Sequence, residues 1–540
     1  MIKKIIHSTG YFIFFALILI DASNFFFEKP FFGRAGMIFW YLANLYLVLF
    51  ALLCLKEIMI HSYKNKLKLT IGLLLLWAVV VILNINSPKN LSGETTQEIN
   101  CVLKSLSSDG GGYHETCFLG YPARTYYFAA LPSLLFGRSL SALNAGAGIY
   151  FLVALIIFSG GILKYFNYQK DGDLIAAFIL GSLFHSYFLN YLLFYYEQSV
   201  FPLVFGLILC GFFYLYLSSK KKFPLYFFGF ILFFLIYTYT PALSLYFFAL
   251  AVIAYFILDK TLNFKHKLFL LSLILLTLFS FYASLQVRKD INLIDQKATP
   301  ISQLTMDVES GFKHLLLENG GFPFLSPIYS LIFLAILFLS LSFRFGWKYA
   351  VGSLWILATI VMSIISKGYS YYGVDFRLQR AVVVFPVFLA FLVFLLKKID
   401  IERLEKEKIF SAFIAFILLS GFFFQQEILK AREPSKHLHF ILWLKNNPKF
   451  SISGKEGYLY FFPSAYNTSF ISLNDELQYF LPELAGRQYL GTGCNLTEKK
   501  SFYILKTDDP CINYLSKDTS LTFYGIYSYK DDSLMVFRKE

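Results

Sequence analysis

From Ile71 to Ile85 the chain reads Ile-Gly-Leu-Leu-Leu-Leu-Trp-Ala-Val-Val-Val-Ile-Leu-Asn-Ile, without a charged residue. Stretches of this kind recur along the sequence, and that recurrence constrains the fold more than any other feature. A helix needs about 17–25 mostly apolar residues to cross the hydrocarbon core of a bilayer. No water reaches the backbone there, so such a segment has to close its own hydrogen bonds. The 540 residues are 57% hydrophobic and only 15% charged, whereas a soluble chain is about 25% charged. A soluble core could not hide so much apolar side chain, because a soluble surface must be covered with polar groups.

The pattern predicts an α-helical polytopic membrane protein with about thirteen spans. They fall near 11–27, 37–55, 69–86, 143–163, 174–192, 199–217, 224–239, 241–258, 268–285, 326–343, 347–366, 381–396 and 409–425. Met1 to His7 with an apolar stretch behind it resembles a secretory signal. No small-residue cleavage site follows, so a retained first span is expected. Basic residues cluster after alternate spans: Lys56, Lys64, Lys66 and Lys68; Lys164 and Lys170; Lys220 to Lys222; Lys260, Lys265 and Lys267; Arg344 and Lys348; Lys397 to Lys408. With this span count every cluster falls on the side of the N-terminus, and the positive-inside bias makes that side cytoplasmic. The net charge of +14 is thereby read as an orientation signal. It forms no continuous basic face, so a nucleic-acid partner is not expected.

The expected organisation is a membrane domain over 1–426 and a small α/β extracytoplasmic domain over 427–540. Two further outward segments are expected, a loop over 87–142 and another over 286–325. Within the first, 121–136 carries Pro122, Arg124 and Pro132 and reads as a helix lying on the outer surface. In the tail, Gly457 to Phe462 alternates apolar and polar residues as a strand does, and His437 to Asn447 reads as a helix. Cys101 with Cys117, and Cys494 with Cys511, fall in these outward segments, where oxidation is permitted. Each bridge would close a loop of about fifteen residues, worth roughly 3 kcal/mol in the chain-entropy model. Free thiols are the alternative, and the short Cys-x-x-Cys spacing of zinc sites is absent.

Three constellations can carry chemistry. The first outer loop holds Glu94 and Glu98, four apart and on one face of a helix, then Asp109 in a glycine-rich stretch and Arg124 near Tyr121. Acids at a membrane surface have their affinity for protons raised by the low dielectric and lowered by a nearby arginine. A solvated loop is the plainer reading. Glu197 sits at the outer end of a span, where a carboxylate is a functional hypothesis by default and snorkelling the simpler account. Arg377 and Arg380 lie three apart before the span at 381–396. Guanidinium pairs match the geometry of phosphate, although Asp375 or lipid headgroups could also engage them. Outward acids beside phosphate-binding arginines suggest a lipid-phosphate substrate, with a carboxylate deprotonating an acceptor hydroxyl.

Two motifs extend this reading. Gly120-Tyr-Pro-Ala-Arg-Thr-Tyr-Tyr127, running on to Leu135-Phe-Gly-Arg-Ser-Leu-Ser-Ala-Leu143, is similar to the Gly-His-Pro-Pro-Leu-Tyr-Tyr segment of polytopic type-C glycosyltransferases. Phe376-Arg-Leu-Gln-Arg-Ala381 with Pro386 resembles the Arg-Tyr-x-x-Pro entry to a late span in the same superfamily, near its protein O-mannosyltransferase and aminoarabinose-transferase branch. The resemblance implies inverting transfer of a sugar from a polyprenyl-phosphate or diphosphate donor to an extracytoplasmic glycan, lipid or protein. It implies a base in the first outer loop, with Glu94 in the place of the family's Asp and Asp109 the second choice, and donor phosphate at the arginines. No cofactor is expected, and a divalent metal is left open. The chain departs from the pattern in having this loop after the third span rather than the first. A lipid-linked glycan flippase or polysaccharide transporter is the alternative, as is a glycan polymerase or ligase. A transporter would want polar residues deep in several spans or internal repeats. The polar span residues are few, chiefly Asn44, His185 and Asn190, and no repeat is visible.

Overall fold

The computed structural model describes residues 2–23, 33–65, 67–85, 127–186, 200–219, 221–236, 262–275, 384–397, 408–431, 436–447, 458–462, 501–529 and 532–539, with scattered positions between them. The membrane domain is built from α1 (Ile2–Ser23), α2 (Gly33–Asn65), α3 (Lys68–Ile85), the short α4 (Tyr127–Phe136), α5 (Leu140–Tyr165), α6 (Lys170–Ser182), α7 (Val200–Ser219), α8 (Lys222–Ile236), α9 (Val384–Leu396) and α10 (Ile409–Ala431). Among the described residues, four helices are long and apolar enough to cross a membrane: Ala35–Asn65, Lys68–Ile85, Leu140–Tyr165 and Ile409–Gln426. The expected spans and the observed helices differ at their ends. The one expected over 143–163 extends to Tyr165, while the one expected over 174–192 leaves the α form at Ser182 and continues as a 3-10 turn, Leu183–His185.

Contacts fix the relative direction of the helices. Thr70 meets Asp173 and Trp77 meets Leu180, so α3 and α6 run together. Phe178 packs on Phe413, Gly181 lies by Leu418 and Phe184 by Gly421, which adds α10 to this set. Tyr11 packs on Tyr226 and Phe14 on Phe230, so α1 and α8 also run together. Cys54 lies by Gly160 and His61 stacks on Tyr168, so α2 and α5 are parallel. Tyr150 meets Phe205 and Gly161 meets Gly211, and Cys210 meets Pro386, so α7 and α9 follow the same way. Val81 lies against Gly148 and Trp77 against Phe151, so α3 and α5 are antiparallel.

At the centre, α5 and α7 cross with backbone almost touching backbone. A Cβ built on Gly161 would lie 2.6 Å from the carbonyl oxygen of Gly211, and one built on Gly211 would lie 2.9 Å from that of Ile157. Between helices in lipid there is no hydrophobic drive, and small residues that permit this closeness supply the dispersion contact instead. Tyr214 adds a hydrogen bond from its hydroxyl to the carbonyl of Ala390 on α9.

The helix ends are satisfied from neighbouring elements. Asp173 accepts from the amides of Leu69 (3.1 Å) and Thr70 (2.8 Å) and so caps α3 from α6. At the other end of α3, the Asn144 side-chain amide donates to the carbonyls of Ile85 (2.8 Å) and Asn84 (3.3 Å). Helix α5 starts on Ser139, whose hydroxyl accepts from the Ala142 amide at 3.2 Å. It stops where Asn167 and Tyr168 take positive φ. His185 joins three segments: its Nε2–H donates to the Ile417 carbonyl (2.7 Å), and its Nδ1 accepts from the Ser326 hydroxyl (2.5 Å). Gln425 donates to the carbonyls of Phe184 (2.6 Å) and Ser186 (3.3 Å). The Gln425 bonds, with one from the Ser326 amide to the His185 carbonyl (3.0 Å), meet backbone groups released where α6 stops being α-helical.

Beyond α10 come α11 (Lys436–Asn446) and a five-stranded sheet of β3 (Tyr458–Phe461), β4 (Gln488–Leu490), β5 (Ser501–Lys506), β6 (Leu521–Tyr529) and β7 (Asp532–Lys539), with the short helix α12 (Ile512–Leu515) between β5 and β6. An earlier two-stranded ribbon, β1 (Ser370–Tyr371) with β2 (Val374–Asp375), stands in the chain ahead of α9. The sheet order is β4-β3-β5-β7-β6, with β3 parallel to both β4 and β5 and the rest antiparallel. Side chains alternate as the strand period of two requires. Leu459, Phe461, Phe502 and Ile504 join the large core that includes Leu438, Ile441 and Leu444 of α11. Phe462, Tyr503, Leu505 and Phe537 form a second, smaller cluster with Cys511 and Leu515. Cys494 and Cys511 are disulfide-bonded, with Cα atoms 5.3 Å apart. The predicted strand and the predicted helix at 437–447 both appear, within a residue of their expected limits.

Candidate active site at one end of the bundle

Glu94, Glu98, Asp109, Tyr121, Arg124, Glu197, Arg377 and Arg380 lie outside the described residues, as do Cys101 and Cys117. The structure instead describes the helix ends from which their segments leave. Helix α3 ends at Ile85, before the loop with Glu94, Glu98, Asp109, Tyr121 and Arg124, and that loop returns through α4 to the start of α5. Helix α7 begins three residues after Glu197, and α9 four residues after Arg380. The directions established above put the end of α3 and the starts of α5, α7 and α9 at one end of the bundle. Helix α10 also finishes there and leads into the sheet domain. Lys64, Lys68, Lys164, Lys170, Lys221 and Lys397 belong to the opposite end.

The two limits of the first loop are pinned together. Asn144 holds the end of α3 against α5. Pro132 and Ser133 of α4 are buried, and Gly137 turns the chain at φ +82° between α4 and α5. The sheet domain reaches this corner. Tyr479 is fully buried, and its hydroxyl donates to the Ser139 carbonyl (3.2 Å) and accepts from the Ser133 hydroxyl (2.5 Å). Burial pushes the Tyr479 phenol up to about 12, against the opposing effects of the Ser133 hydroxyl, the charge of Arg138 and the Ser139 carbonyl. The Lys445 ammonium donates to the Arg138 carbonyl at 2.6 Å and lies 5.5 Å from the Phe480 ring centroid. Burial holds its proton affinity below that of an ordinary lysine, with the Glu483 carboxylate working the other way.

None of Ser133, Tyr479 and Lys445 was singled out by the sequence motifs. Ser133 and Tyr479 are 346 positions apart, and no local spacing joins them. Among the described residues, no three His, Cys, Asp or Glu side chains group as metal ligands, and the acidic loop stands outside that set.

The chain superimposes on ArnT (aminoarabinose transferase) from Cupriavidus metallidurans in the apo state. The TM-score is 0.53 at 11% sequence identity, over 86% of this chain and 97% of that one. The chain shares the fold of ArnT. A second ArnT structure, bound to undecaprenyl phosphate, aligns at a TM-score of 0.46 and 11% identity over the same shares of the two chains. The Archaeoglobus fulgidus oligosaccharyltransferase, in complex with zinc and sulfate, aligns at 0.44 and 10% identity, over 78% of this chain and 62% of that longer one. Neither of these lower scores establishes a common fold by itself. No family model matches the sequence, and no curated protein does. That fold agrees with the type-C architecture expected from the sequence, and the small domain expected in the tail is present in this chain as a five-stranded sheet.

Proposed function

We propose that this chain is a membrane glycosyltransferase that takes a sugar from a polyprenyl-phosphate or diphosphate donor. The acceptor is a glycan, lipid or protein outside the cytoplasm. One observation carries the reading: on the ArnT fold, every segment bearing a candidate acid or arginine joins the bundle at the end that also carries the sheet domain. The lysine-rich opposite end is the cytoplasmic one by the positive-inside bias.

In this reading the lipid tail stays in the bilayer while its phosphate meets Arg377 and Arg380, with Arg124 assisting. Glu94 accepts the proton of the acceptor hydroxyl, and Asp109 or Glu98 is the substitute if Glu94 is displaced. The acceptor oxygen bonds to the anomeric carbon as the carbon–oxygen bond to phosphate breaks. The bonding pair leaves with the phosphate oxygen, and the guanidinium charge stabilises it there. Attack opposite the leaving group inverts the anomeric centre. Glu197 and Tyr121 complete the donor site.

Purified protein supplied with a labelled polyprenyl-phosphate sugar is expected to release polyprenyl phosphate. Glu94→Ala and Arg377→Ala are each expected to lower that release by at least ~100-fold, the scale of losing an acid/base group or a charge-stabilising donor. Full activity in both variants would remove this site assignment. Movement of intact lipid-linked glycan across the bilayer, without bond cleavage, would favour the transporter reading instead.

A further inference from the structure

The sheet domain touches the corner between α4 and α5 through two of its side chains. Two successive carbonyls, Arg138 and Ser139, are each taken by a side chain of the later domain, Lys445 from α11 and Tyr479 from the segment before β4. The first α5 backbone bond, from the Leu143 amide to the Ser139 carbonyl, is 3.3 Å long, and the left-handed Gly137 gives the turn no side chain to pack. The Ser133 hydroxyl, on the last turn of α4, spends itself on Tyr479. The phenol therefore bridges the end of α4 and the cap residue of α5 at once.

We infer that Tyr479 and Lys445 are positioning residues, which fix the α4–α5 corner and through it the working geometry of the first outer loop. The inference rests on the transferase reading for the loop's chemistry, but not for the anchoring itself. The corner is the return limit of that loop, and Asn144 already fixes its departure point. The phenol and the ammonium tie that return limit to the sheet domain. Coupling of this kind is reciprocal: whatever orders the loop also tightens the seating of the sheet domain.

The test uses full-length protein and Tyr479→Phe, which keeps the buried ring and deletes only the hydroxyl. Amide hydrogen exchange over 133–143 is expected to quicken about tenfold, the scale of one buried hydrogen bond lost. Exchange at the α5–α7 crossing should stay unchanged. Turnover of the labelled polyprenyl-phosphate sugar is expected to fall about tenfold in kcat, with donor KM within about twofold, as for a group acting only through geometry. Lys445→Met should act in the same direction, and Lys445→Arg should recover most of the loss. Unchanged exchange in Tyr479→Phe would overturn the anchoring. Faster exchange with unchanged kcat would overturn the positioning role. If wild-type protein turns over no donor while the exchange effect is present, the transferase reading fails and the anchoring stands.

Discussion

Helices α3 and α5 lie side by side with similar apolar content, yet 83% of the most apolar stretch of α5 is buried against 28% of that of α3. In water that difference would show in hydrophobicity, because an exposed helix face must be polar. In a bilayer it does not, since lipid accepts Leu and Val as readily as a neighbouring helix does. The difference shows in residue size. Helix α5 carries Ala142, Ala145, Gly146, Ala147, Gly148, Gly160 and Gly161, while α3 is mainly Leu, Val and Ile with Leu75, Leu76, Ile82 and Leu83 exposed. The inner helix is held by backbone closeness. The outer one is held by polar ties at its two ends and by Trp77, whose indole donates to the Leu180 carbonyl at 3.2 Å.

The sharpest way to break this comparison is to put the same methyl group on both helices. Gly161→Ala meets the Gly211 backbone, which cannot swing aside, and is expected to cost roughly 1–3 kcal/mol or the folded state altogether. At Gly72 of α3 a Cβ meets nothing within 4 Å, so Gly72→Ala is expected to be neutral or stabilising by up to about 1 kcal/mol through helix propensity. Thermal unfolding of the two variants in one detergent decides it, and equal losses would refute the inner–outer distinction. Next in size is the capping carboxylate. Asp173→Ala strips two amides of their acceptor in a buried setting and is expected to cost about 1.5–3 kcal/mol. Asp173→Asn, which keeps one acceptor oxygen, should lose less. An unchanged melting temperature in Asp173→Ala would mean that α3 needs no polar tie.

The smallest effect concerns pH, and it contrasts the sheet domain with the bundle. Lys445 holds its proton less tightly folded than unfolded, so the unfolded chain binds more protons between the lowered value and the ordinary lysine range of about 10.4. Stability of the docked domain is expected to rise modestly with pH across that window and to level off above it. Lys445→Met should flatten the trend, and an unaltered slope in that variant would assign the trend to another group.

The membrane class, the helix sequence and the tail's strand and helix were legible because each rests on local period or on run length. Ser139, Gly137 and the Lys436–Asn446 helix follow such local rules. The early end of α6 at Ser182 was not legible. It depends on His185 finding Ser326 and Ile417, which are 141 and 232 positions away. Asn44 shows the same limit from the other side. It is buried and finds no hydrogen-bond partner among the described residues, and nothing in the neighbouring sequence marks it for that. The candidate acids and arginines rest on residue type and motif, and they lie outside the described residues. The helix ends beside them carry no local mark of sharing one end of the bundle, because that follows only from contacts between distant segments.

Asn144 fastening the end of α3 beside the start of α5 has a further consequence for how this chain can change over generations. The segment between them is a ring already closed, so lengthening it is thermodynamically mild. Doubling the residues in such a ring adds only about 0.6 kcal/mol of closure entropy. Insertions and deletions there can reshape what the ring embraces while the helices beneath keep their register.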